Sequence, residues 1–246
     1  MNNIEHNSHY DIRPVPDMLP AERQRMILEQ VKKSRTVKVH ELSAALFINE
    51  ATIRRDLNVL EKEGHVKRIY GGAVLASGPD SELPFAYRQV RFAPEKKRIA
   101  ERAAWEVENG DTIFLDSSST VAFMIPYLED RKGLRIVTNG AKTVLWLASL
   151  TDAVIISTGG TLRENSLSFA GQNTHANLSE YFFDKVFFSC HAFSTEHGLM
   201  DSNENEARLR KLIVSRSRKA YLLADSSKEG KTSFYKICDM DSVVRV

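Results

Sequence analysis

Five short apolar runs, most of them followed by a longer segment of helical character, occupy the second part of the chain and limit what it can fold into. They are TIFLD (112–116), RIVTN (135–139), AVIIST (153–158), KVFFSC (185–190) and KAYLLAD (219–225). Strands that are apolar at nearly every position are buried on both faces, and their alternation with helices is typical of parallel sheets. The fold class predicted for residues 94–246 is therefore α/β with a mostly parallel sheet.

Residues 18–76 follow a different pattern, in which helical spacing gives way to strand spacing. Apolar residues recur at helical intervals in PAERQRMILEQVKKS and in VKVHELSAALF, and a third helix is predicted after Asn49, whose side chain is a good N-cap. Three helices with a short turn before the last one are typical of a helix-turn-helix. The run HVKRIYGGAVLA then predicts a hairpin, because paired glycines such as Gly71 and Gly72 supply the positive φ of a tight turn. The predicted fold is an α+β winged helix.

The segments outside these two patterns set the expected domain limits. Residues 1–17 are polar and contain prolines, which predicts a mobile arm. Residues 77–93 mix Gly, Pro and charged residues and are predicted to form a linker. The winged helix-turn-helix domain is thus expected at 18–76 and the α/β domain at 94–246.

Composition excludes several classes of protein. The chain has 42% apolar and 27% charged residues, which fits a globular protein. Its two cysteines, Cys190 and Cys238, form no CxxC motif and no histidine cluster accompanies them, so no disulfide framework, metal site or cofactor is predicted. No apolar stretch of about 18 residues and no signal-peptide pattern occur, so we expect a cytoplasmic protein without membrane contact.

The third predicted helix has a polar face that packing does not require. At about 100° per residue, Ile53, Leu57 and Leu60 share one side, which we expect to be buried. With the cap residue Asn49, the outward side chains form a candidate recognition surface. They are Ala51, Arg55, Asn58 and Lys62, with Thr52 and Arg54 on the two flanks.

This surface matches the side chains that read DNA in a major groove. Arg can bond bidentately to guanine, Asn to adenine, and a small methyl group can meet the thymine methyl. An ordinary solvated helix carries similar residues, but the capped helix and a basic wing with Lys67 and Arg68 favour DNA. Arg55, central on the face, is the expected base reader, and Arg54 the expected phosphate contact. Asp56 is expected to be structural, paired with one of these arginines or with the wing.

One long run, ELSAALFINEATIRRDLNVLEKEGHVKRIYGGAV (41–74), contains a TIRRDL core followed by a GGA turn. It resembles the N-terminal signature of the DeoR family of bacterial transcriptional repressors. The likeness continues through PFAYRQVRFAPEKKRIAERAAWEVENGDTIFLDSSSTV (84–121) and covers nearly the whole chain after the arm. The resemblance implies an operator-binding repressor whose C-terminal domain is related to ribose-5-phosphate isomerase and senses a phosphorylated sugar or polyol.

Polar residues follow the predicted strands. The loop DSSST (116–120) precedes a helix, where hydroxyls and N–H groups favour an anion such as phosphate; the alternative is that they only cap the helix. The carboxyl ends of parallel strands meet at one edge of a sheet. We therefore expect residues 138–140, 158–161 and 225–228 to converge on the same crevice.

The family's motifs D-x-G-S-T, T-N, G-G and D-x-S-K have counterparts at these strand ends. Carried over residue by residue, the resemblance implies effector contacts at Asp116, Ser119, Thr120, Thr138, Asn139, Gly159, Gly160, Asp225 and Lys228. Lys228 could pair with a phosphate, and the two glycines would let the backbone approach the ligand. Two departures stand out: Ser118 replaces the usual glycine and could add a hydroxyl donor, and SCHA (189–192) stands where many members have a glycine followed by an acidic or polar residue.

The segment HGLMDSNENEARLRK (197–211) adds further polar candidates. Glu204 and Lys211 could hold sugar hydroxyls, although such a cluster could also cap the following helix. His191 is open between a packed core imidazole and a ligand contact. Cys190, inside an apolar run, is expected to be inert core.

These observations favour a homodimeric or homotetrameric repressor whose winged helix binds operator DNA and whose affinity a phosphorylated sugar changes. The alternative is a phosphosugar isomerase with a DNA-binding appendage, using Asp116, Glu204 or Asp225 as its base. No fixed pair of catalytic carboxylates is evident, so no enzyme activity is predicted. A non-specific nucleic-acid binder is disfavoured, because the excess of Lys and Arg over acidic residues is small and confined to residues 18–76.

Overall fold

The computed structural model describes residues 18–76 and 83–246, and the chain divides into two compact units, Met1–Pro79 and Asp80–Val246. The predicted arm (1–17) lies outside the described residues, as does part of the predicted linker. Within the described ranges, no helix is long and apolar enough to cross a membrane.

The first unit packs three helices against a small antiparallel sheet. Its elements are α1 (Pro20–Ser34), β1 (Thr36–Lys38), α2 (Val39–Leu46), α3 (Glu50–Lys62), β2 (Val66–Ile69) and β3 (Gly72–Leu75). The sheet order is β1-β3-β2, and β2 and β3 form the predicted hairpin, the wing. The helical stripes meet in one core, where Ile27, Val31, Leu42, Ile53 and Leu57 are buried. The predicted winged helix is confirmed, and β1 is a strand that was not predicted.

Local signals set the turns of this unit. The Asn49 Oδ1 accepts the N–H of Thr52 at 2.8 Å, which confirms the predicted cap of α3. Gly71, in the hairpin turn, has a φ of 76°, in the left-handed region that glycine adopts readily. Gly72 lies in β3 instead, where a Cβ would lie 2.0 Å from the Val37 carbonyl oxygen of β1. The expectation of positive φ at both glycines is therefore wrong for Gly72, which the close approach of β1 requires.

The second unit alternates strands and helices. Its helices are α4 (Phe85–Val90), α5 (Ala93–Ala104), α6 (Ser119–Ala122), α7 (Ala141–Leu150), α8 (Gln172–Ser179) and α9 (Glu204–Ser215), with 3₁₀ turns at Ile125–Leu128, Ser226–Lys228 and Met240–Ser242. Its strands are β4 (Thr112–Leu115), β5 (Arg135–Thr138), β6 (Val154–Ser157), β7 (Thr161–Arg163), β8 (Ser168–Ala170), β9 (Phe183–Phe188), β10 (Ala192–Ser194), β11 (Gly198–Asp201), β12 (Ser217–Leu222), β13 (Tyr235–Cys238) and β14 (Val244–Arg245).

The large sheet of this unit has six strands in the order β14-β12-β9-β4-β5-β6, and every neighbouring pair is parallel. All five predicted strands are present, which confirms the mostly parallel sheet; β14 is an additional edge strand. The chain runs outward from β4 to β6 and then places β9, β12 and β14 on the other side of β4. The order in which strands are added to the sheet reverses between β4 and β9. The carboxyl ends of these two parallel strands therefore flank the crevice where open parallel sheets bind ligands.

Both faces of this sheet are covered, and adjacent strand residues enter different cores. Ile113 and Leu115 of β4 pack into a core with α5 and α7, whereas Phe114 between them packs into a core with α8 and α9. In β9, Phe187 likewise belongs to the first core and Phe188 to the second. Successive side chains of a strand point to opposite faces, so a sheet with two covered faces needs runs that are apolar at every position.

Two small antiparallel sheets and one helix were not predicted. β7 pairs with β8, and β11 lies between β10 and β13. α4 lies within the range predicted as a linker. Its Phe85 is buried, with its ring 6.2 Å from that of Trp146 in α7 and its N–H donating to the Asn165 carbonyl at 2.7 Å. This part of the predicted linker is therefore helical and packed within the second unit.

Candidate DNA-binding surface and effector site

The third helix of the first unit has the two faces that its periodicity predicts. Ile53, Leu57 and Leu60 are at most 3% exposed, and they hold α3 against the core. Thr52 is half-buried. The other outward side chains are exposed, namely Ala51, Arg54, Arg55, Asn58 and Lys62. α3 therefore presents a continuous polar strip to solvent.

The two adjacent arginines of α3 have different surroundings. The Arg54 guanidinium forms an ion pair with Glu50, one turn earlier on the same helix. For Arg55, the described residues provide neither a hydrogen bond nor an ion pair to the guanidinium. All of its donors are thus available to a partner outside the unit, which fits the role expected for a base reader.

Asp56 is buried and fastens α3 to α1. Its Oδ2 pairs with the Arg23 Nε, and its Oδ1 accepts from the Arg23 Nη2 at 3.0 Å and from the Gln24 Nε2 at 3.2 Å. The hydrogen bond to Asp56 raises the pKa of Arg23 above its usual value. The predicted structural role is correct, but the predicted partner is wrong, because Asp56 lies on the buried side of α3, against α1, whereas Arg54 and Arg55 lie on the exposed side.

The two basic residues of the wing point in different directions. Lys67 is exposed, as is Tyr70 in the hairpin turn, at 99%. Arg68 is half-buried against α3, where its Nη1 donates to the Asn58 Oδ1 and to the Arg54 carbonyl oxygen at 3.1 Å. The structure therefore places Lys67 on the outer surface and Arg68 between the wing and α3.

In the second unit, the loop after β4 (116–120) is buried along its whole length. The Ser118 Oγ accepts the Val121 N–H at 3.2 Å and caps α6, while the Asp116 Oδ1 accepts the Ser118 N–H at 2.8 Å. The serine that replaces the family's usual glycine therefore has a capping role. The hydroxyl of Ser119 is engaged differently, by a lysine from α5.

That lysine is Lys96, which sequence reasoning missed. Its Nζ donates to the Ser119 Oγ at 3.1 Å and to the Arg88 carbonyl, and it is only 4% exposed. Burial, and next the nearby ammonium of Lys228, lower the pKa of Lys96 to about 8. The Lys228 Nζ donates to the Ser189 Oγ at 2.8 Å and to the Cys190 carbonyl at 2.7 Å. Two lysines thus meet at the carboxyl ends of β4 and β9.

Asp116 links the two halves of the sheet at the same point. Its Oδ2 accepts the Ser189 N–H at 3.1 Å and faces the Arg210 Nε and Nη2 of α9, each at 3.3 Å. Arg210 also donates to the Asp201 Oδ2 at 2.6 Å and lies 3.4 Å from the Glu206 Oε2. This buried cluster of one arginine and three carboxylates fixes α9 over the strand ends.

Glu206 is the member of this cluster nearest to β7 and β8. Its Oε1 accepts from the Arg163 Nη1 at 2.6 Å and from the Ser168 Oγ at 2.9 Å. Burial alone would raise the pKa of Glu206, but the positive charges of Arg210 and Arg163 bring it below its usual value. Glu206 is therefore an ionised, buried carboxylate.

Two buried polar atoms near these strand ends have no hydrogen-bond partner among the described residues. The first is the Nδ2 of Asn139, whose Oδ1 accepts the Ser117 N–H at 3.0 Å. The second is the Oε2 of Glu206, which has only its ion pair with Arg210. A buried donor and a buried acceptor are thus left open to a ligand.

The remaining strand-end residues have structural partners. The Thr138 Oγ1 accepts the Gly140 N–H at 3.0 Å. Gly159 and Gly160 have φ of 62° and 113°, and a Cβ on Gly160 would lie 2.2 Å from the Thr174 Oγ1 of α8. Besides any approach to a ligand, both glycines supply the positive φ of the turn, and Gly160 also lets it pack against α8.

Glu204 and Lys211 are not brought to this loop. Both are exposed on α9, on the side away from Glu206 and Arg210, and Glu204 pairs with Arg208 at 2.7 Å. They line a shallow surface depression of about 300 Å³ that Tyr235 and Lys236 also line. The residue that caps α9 is Asn203, whose Oδ1 accepts the Glu206 N–H at 3.2 Å.

Three further candidates are placed as follows. Asp225 is buried and accepts the Ser227 N–H at 3.2 Å, which shapes the turn that carries Lys228. His191 is exposed, so the core-imidazole alternative is wrong. Cys190 is buried, and burial raises the pKa of its thiol to about 12, as expected for inert core. No group of three or more potential metal ligands occurs within residues 18–76 and 83–246.

Fold and surfaces together define a class of protein, a helix-turn-helix transcriptional regulator with a separate α/β domain that carries a buried polar site. Two family models match the chain, the DeoR-like helix-turn-helix domain over residues 23–78 and the DeoR C terminal sensor domain over residues 91–246. The chain belongs to the DeoR family of DNA-binding transcriptional regulators.

Its relatives are similar over nearly their whole length. The HTH-type transcriptional regulator YulB of Bacillus subtilis is 42% identical over 93% of this chain and 88% of its own. The regulator GlpR of Haloferax volcanii is 34% identical over 92% and 88%, and the glycerol-3-phosphate regulon repressor of Escherichia coli is 30% identical over 92% and 89%. All three are named as regulators rather than as enzymes.

Among solved structures, ribose 5-phosphate isomerase A from Methanocaldococcus jannaschii resembles part of the chain. The match covers 56% of this chain and 54% of the isomerase, with a TM-score of 0.42 and 17% identity. An overlap of this size concerns the arrangement of elements and not activity.

Proposed function

We propose that this regulator is a repressor of a carbohydrate-utilisation operon, controlled by a phosphorylated sugar or polyol bound at the strand ends of the second unit. The observation that carries the effector part is the pair Lys96 and Lys228. Among the described residues, each ammonium donates only to hydroxyl or carbonyl oxygens, so no carboxylate neutralises it by direct contact. A phosphate at the loop 116–120 would supply this negative charge and accept charge-assisted hydrogen bonds.

The sugar or polyol part of the effector has its own candidate partners. The open Nδ2 of Asn139 can donate and the open Oε2 of Glu206 can accept. Hydroxyl groups both donate and accept, so a polyhydroxylated ligand would give both atoms a hydrogen-bond partner, which buried polar atoms usually have. We therefore assign Glu206, rather than the predicted Glu204, to the effector site.

The DNA part of the proposal uses the outward face of α3. Arg55 is expected to read a base, Arg54 and Lys62 to contact phosphates, and Asn49 to hold the helix terminus. One relative is named as a glycerol-3-phosphate regulon repressor, which supports both repression and a small phosphorylated effector.

Control of operator binding requires an effector that prefers one arrangement of the regulator over another. We expect dimers or tetramers, because helix-turn-helix proteins read paired half-sites. An effector that favours the arrangement unable to span two half-sites lowers DNA affinity. A tenfold decrease requires about 1.4 kcal/mol of coupling.

A thermal-shift screen of the full-length protein tests the effector assignment. A ligand that binds only the folded state raises its stability by RT ln(1 + [L]/Kd), so a phosphorylated sugar should raise the melting temperature more than its unphosphorylated counterpart does. Lys96→Met and Lys228→Met should lose this response, whereas Lys211→Met, at an exposed lysine of α9, should keep it. Equal shifts with unphosphorylated sugars, or a normal response in both site variants, would contradict the proposal.

A further inference from the structure

The wing and the recognition helix are joined through Arg68 of β2. Its Nη1 donates to the Asn58 Oδ1 and to the Arg54 carbonyl oxygen, and its backbone N–H donates to the Glu61 Oε1 at 2.6 Å. Its Nε is buried. The guanidinium is therefore turned towards α3, while the neighbouring Lys67 is exposed.

This contact also sets the orientation of Asn58. A guanidinium can only donate hydrogen bonds, so the oxygen of the Asn58 amide must face Arg68 and its NH₂ group must face away. An amide held in one orientation loses less side-chain freedom when it meets a base edge. The hydrogen bond from Arg68 thus fixes the orientation of an exposed amide on α3.

We propose that Arg68 is a positioning residue for sequence reading, which holds the Asn58 amide in one orientation on α3 and does not itself neutralise a DNA phosphate. This proposal rests on the operator-binding function proposed above. It replaces the expectation that Lys67 and Arg68 both contact DNA. The wing's phosphate contact falls to Lys67, beside the exposed turn at Tyr70.

Positioning and phosphate contact differ in what they do to DNA binding. A phosphate contact contributes to affinity for DNA of any sequence. Each one makes the slope of log affinity against log salt concentration steeper by about 0.9. A positioning residue changes the ratio of the affinities for selected and random DNA and does not change the salt slope. The two roles are therefore separable with the same binding assay.

The experiment uses the full-length protein, a DNA sequence that the wild type selects from a random pool, and a random duplex, over a series of salt concentrations. Arg68→Met and Arg68→Lys should both bind the selected DNA about tenfold more weakly, within the range for one lost base contact. Both should keep the wild-type affinity for random DNA and its salt slope. The control Lys67→Gln should weaken both DNAs and reduce the slope by about 1.

A double variant tests whether Arg68 acts through Asn58. Arg68→Met combined with Asn58→Ala should lose no more affinity for the selected DNA than Asn58→Ala alone, because coupled residues are not additive. Additive losses would overturn the proposal, and so would an equal loss on both DNAs with a reduced slope in Arg68→Met and normal binding in Arg68→Lys.

Two controls keep the result interpretable. If circular dichroism shows that Arg68→Met is unfolded, the charge-preserving Arg68→Lys gives the same decision, since only a positioning role needs the guanidinium fork. If the wild type selects no sequence, operator reading itself fails, which is visible before any variant is measured, and the role of Arg68 is overturned with it.

Discussion

The cationic side chains of the two candidate sites lie in opposite surroundings. In the first unit Arg55 and Lys62 are exposed on α3, whereas in the second Lys96 and Arg210 are 4% and 6% exposed. Exposed charges are hydrated and screened by salt, and they act on a partner that brings its own charge. Buried charges interact strongly with their neighbours, so removing one changes the stability of the unit or the pKa of nearby titratable groups. Substituting Arg55 or Lys62 should therefore change DNA binding and leave stability unchanged, whereas substituting Lys96 or Arg210 should change the stability or protonation of the second unit.

Arg210→Met should give the largest effect. It leaves Asp116, Asp201 and Glu206 buried without their shared cation, and breaking a buried ion pair on one side costs about 3–5 kcal/mol. Urea unfolding followed by tryptophan fluorescence reports this unit, which contains both tryptophans of the chain. Arg208→Met, at an exposed position of the same helix, is the matched control and should change stability by less than about 0.5 kcal/mol. Similar values for the two variants would remove the contrast between buried and exposed cations.

Arg55→Ala should cost about 1–3 kcal/mol in affinity for the selected DNA and relax base preference at one position, with no change in unfolding. Arg54→Ala should weaken selected and random DNA by the same, smaller factor. Fluorescence anisotropy with labelled duplexes measures both. An equal loss on selected and random DNA in Arg55→Ala would exclude it from base reading.

The protonation of Lys96 gives a pH-dependent effect. Its folded-state pKa of about 8 lies below the usual 10.5, so the unfolded chain binds more protons at this site between those values. The contribution of Lys96 to the free energy of unfolding therefore rises as pH increases from about 8 to about 10.5. The pH profile of urea unfolding should lose this rise in Lys96→Met, and identical profiles would contradict the buried position of the lysine.

Phosphate binding should reverse this pKa shift. An anion beside Lys96 favours the ammonium, so effector binding at pH 8 should take up protons. Calorimetric titrations in buffers with different ionisation enthalpies measure the number of protons exchanged. Proton release, or an unchanged uptake in Lys96→Met, would place the phosphate elsewhere.

The smallest effect is expected at Glu204. Glu204→Gln removes an exposed ion pair and should change both stability and effector affinity by less than about 0.5 kcal/mol. Glu206→Gln, two residues later, should lower effector affinity measurably in the same titration. A larger loss of affinity in Glu204→Gln than in Glu206→Gln would restore the exposed face of α9 as the binding surface.

The parts of the molecule that could be predicted from sequence depend on short-range spacing. The faces of α3 follow from its helical period, and the Asn49 cap bonds a residue only three positions away. The five predicted strands are visible because a sheet covered on both faces requires continuous apolar runs. The partner of Asp56 was missed because Arg23 lies 33 positions earlier, and nothing in the local sequence indicates that α1 crosses there.

The candidate effector site was predicted in part for the same reason. Loop residues after the strands were identified because parallel topology brings strand ends together. Lys96 was missed because the run PEKKRIAERA has the composition of a solvated helix. The burial of Glu206 could have been predicted, since the apolar Ala207 and Ile213 lie on the same side of α9.

The carboxylate of Asp116 accepts hydrogen bonds from its own loop, from the end of β9 and from α9. These partners come from two segments of the chain, β4 to β6 and β9 to β14. The two segments form opposite halves of the sheet, which meet between β4 and β9. Neither segment contains a complete site. Exchange of one segment between related regulators would replace the partners of Asp116 or those of Arg210, so we expect the two segments to change in concert during evolution.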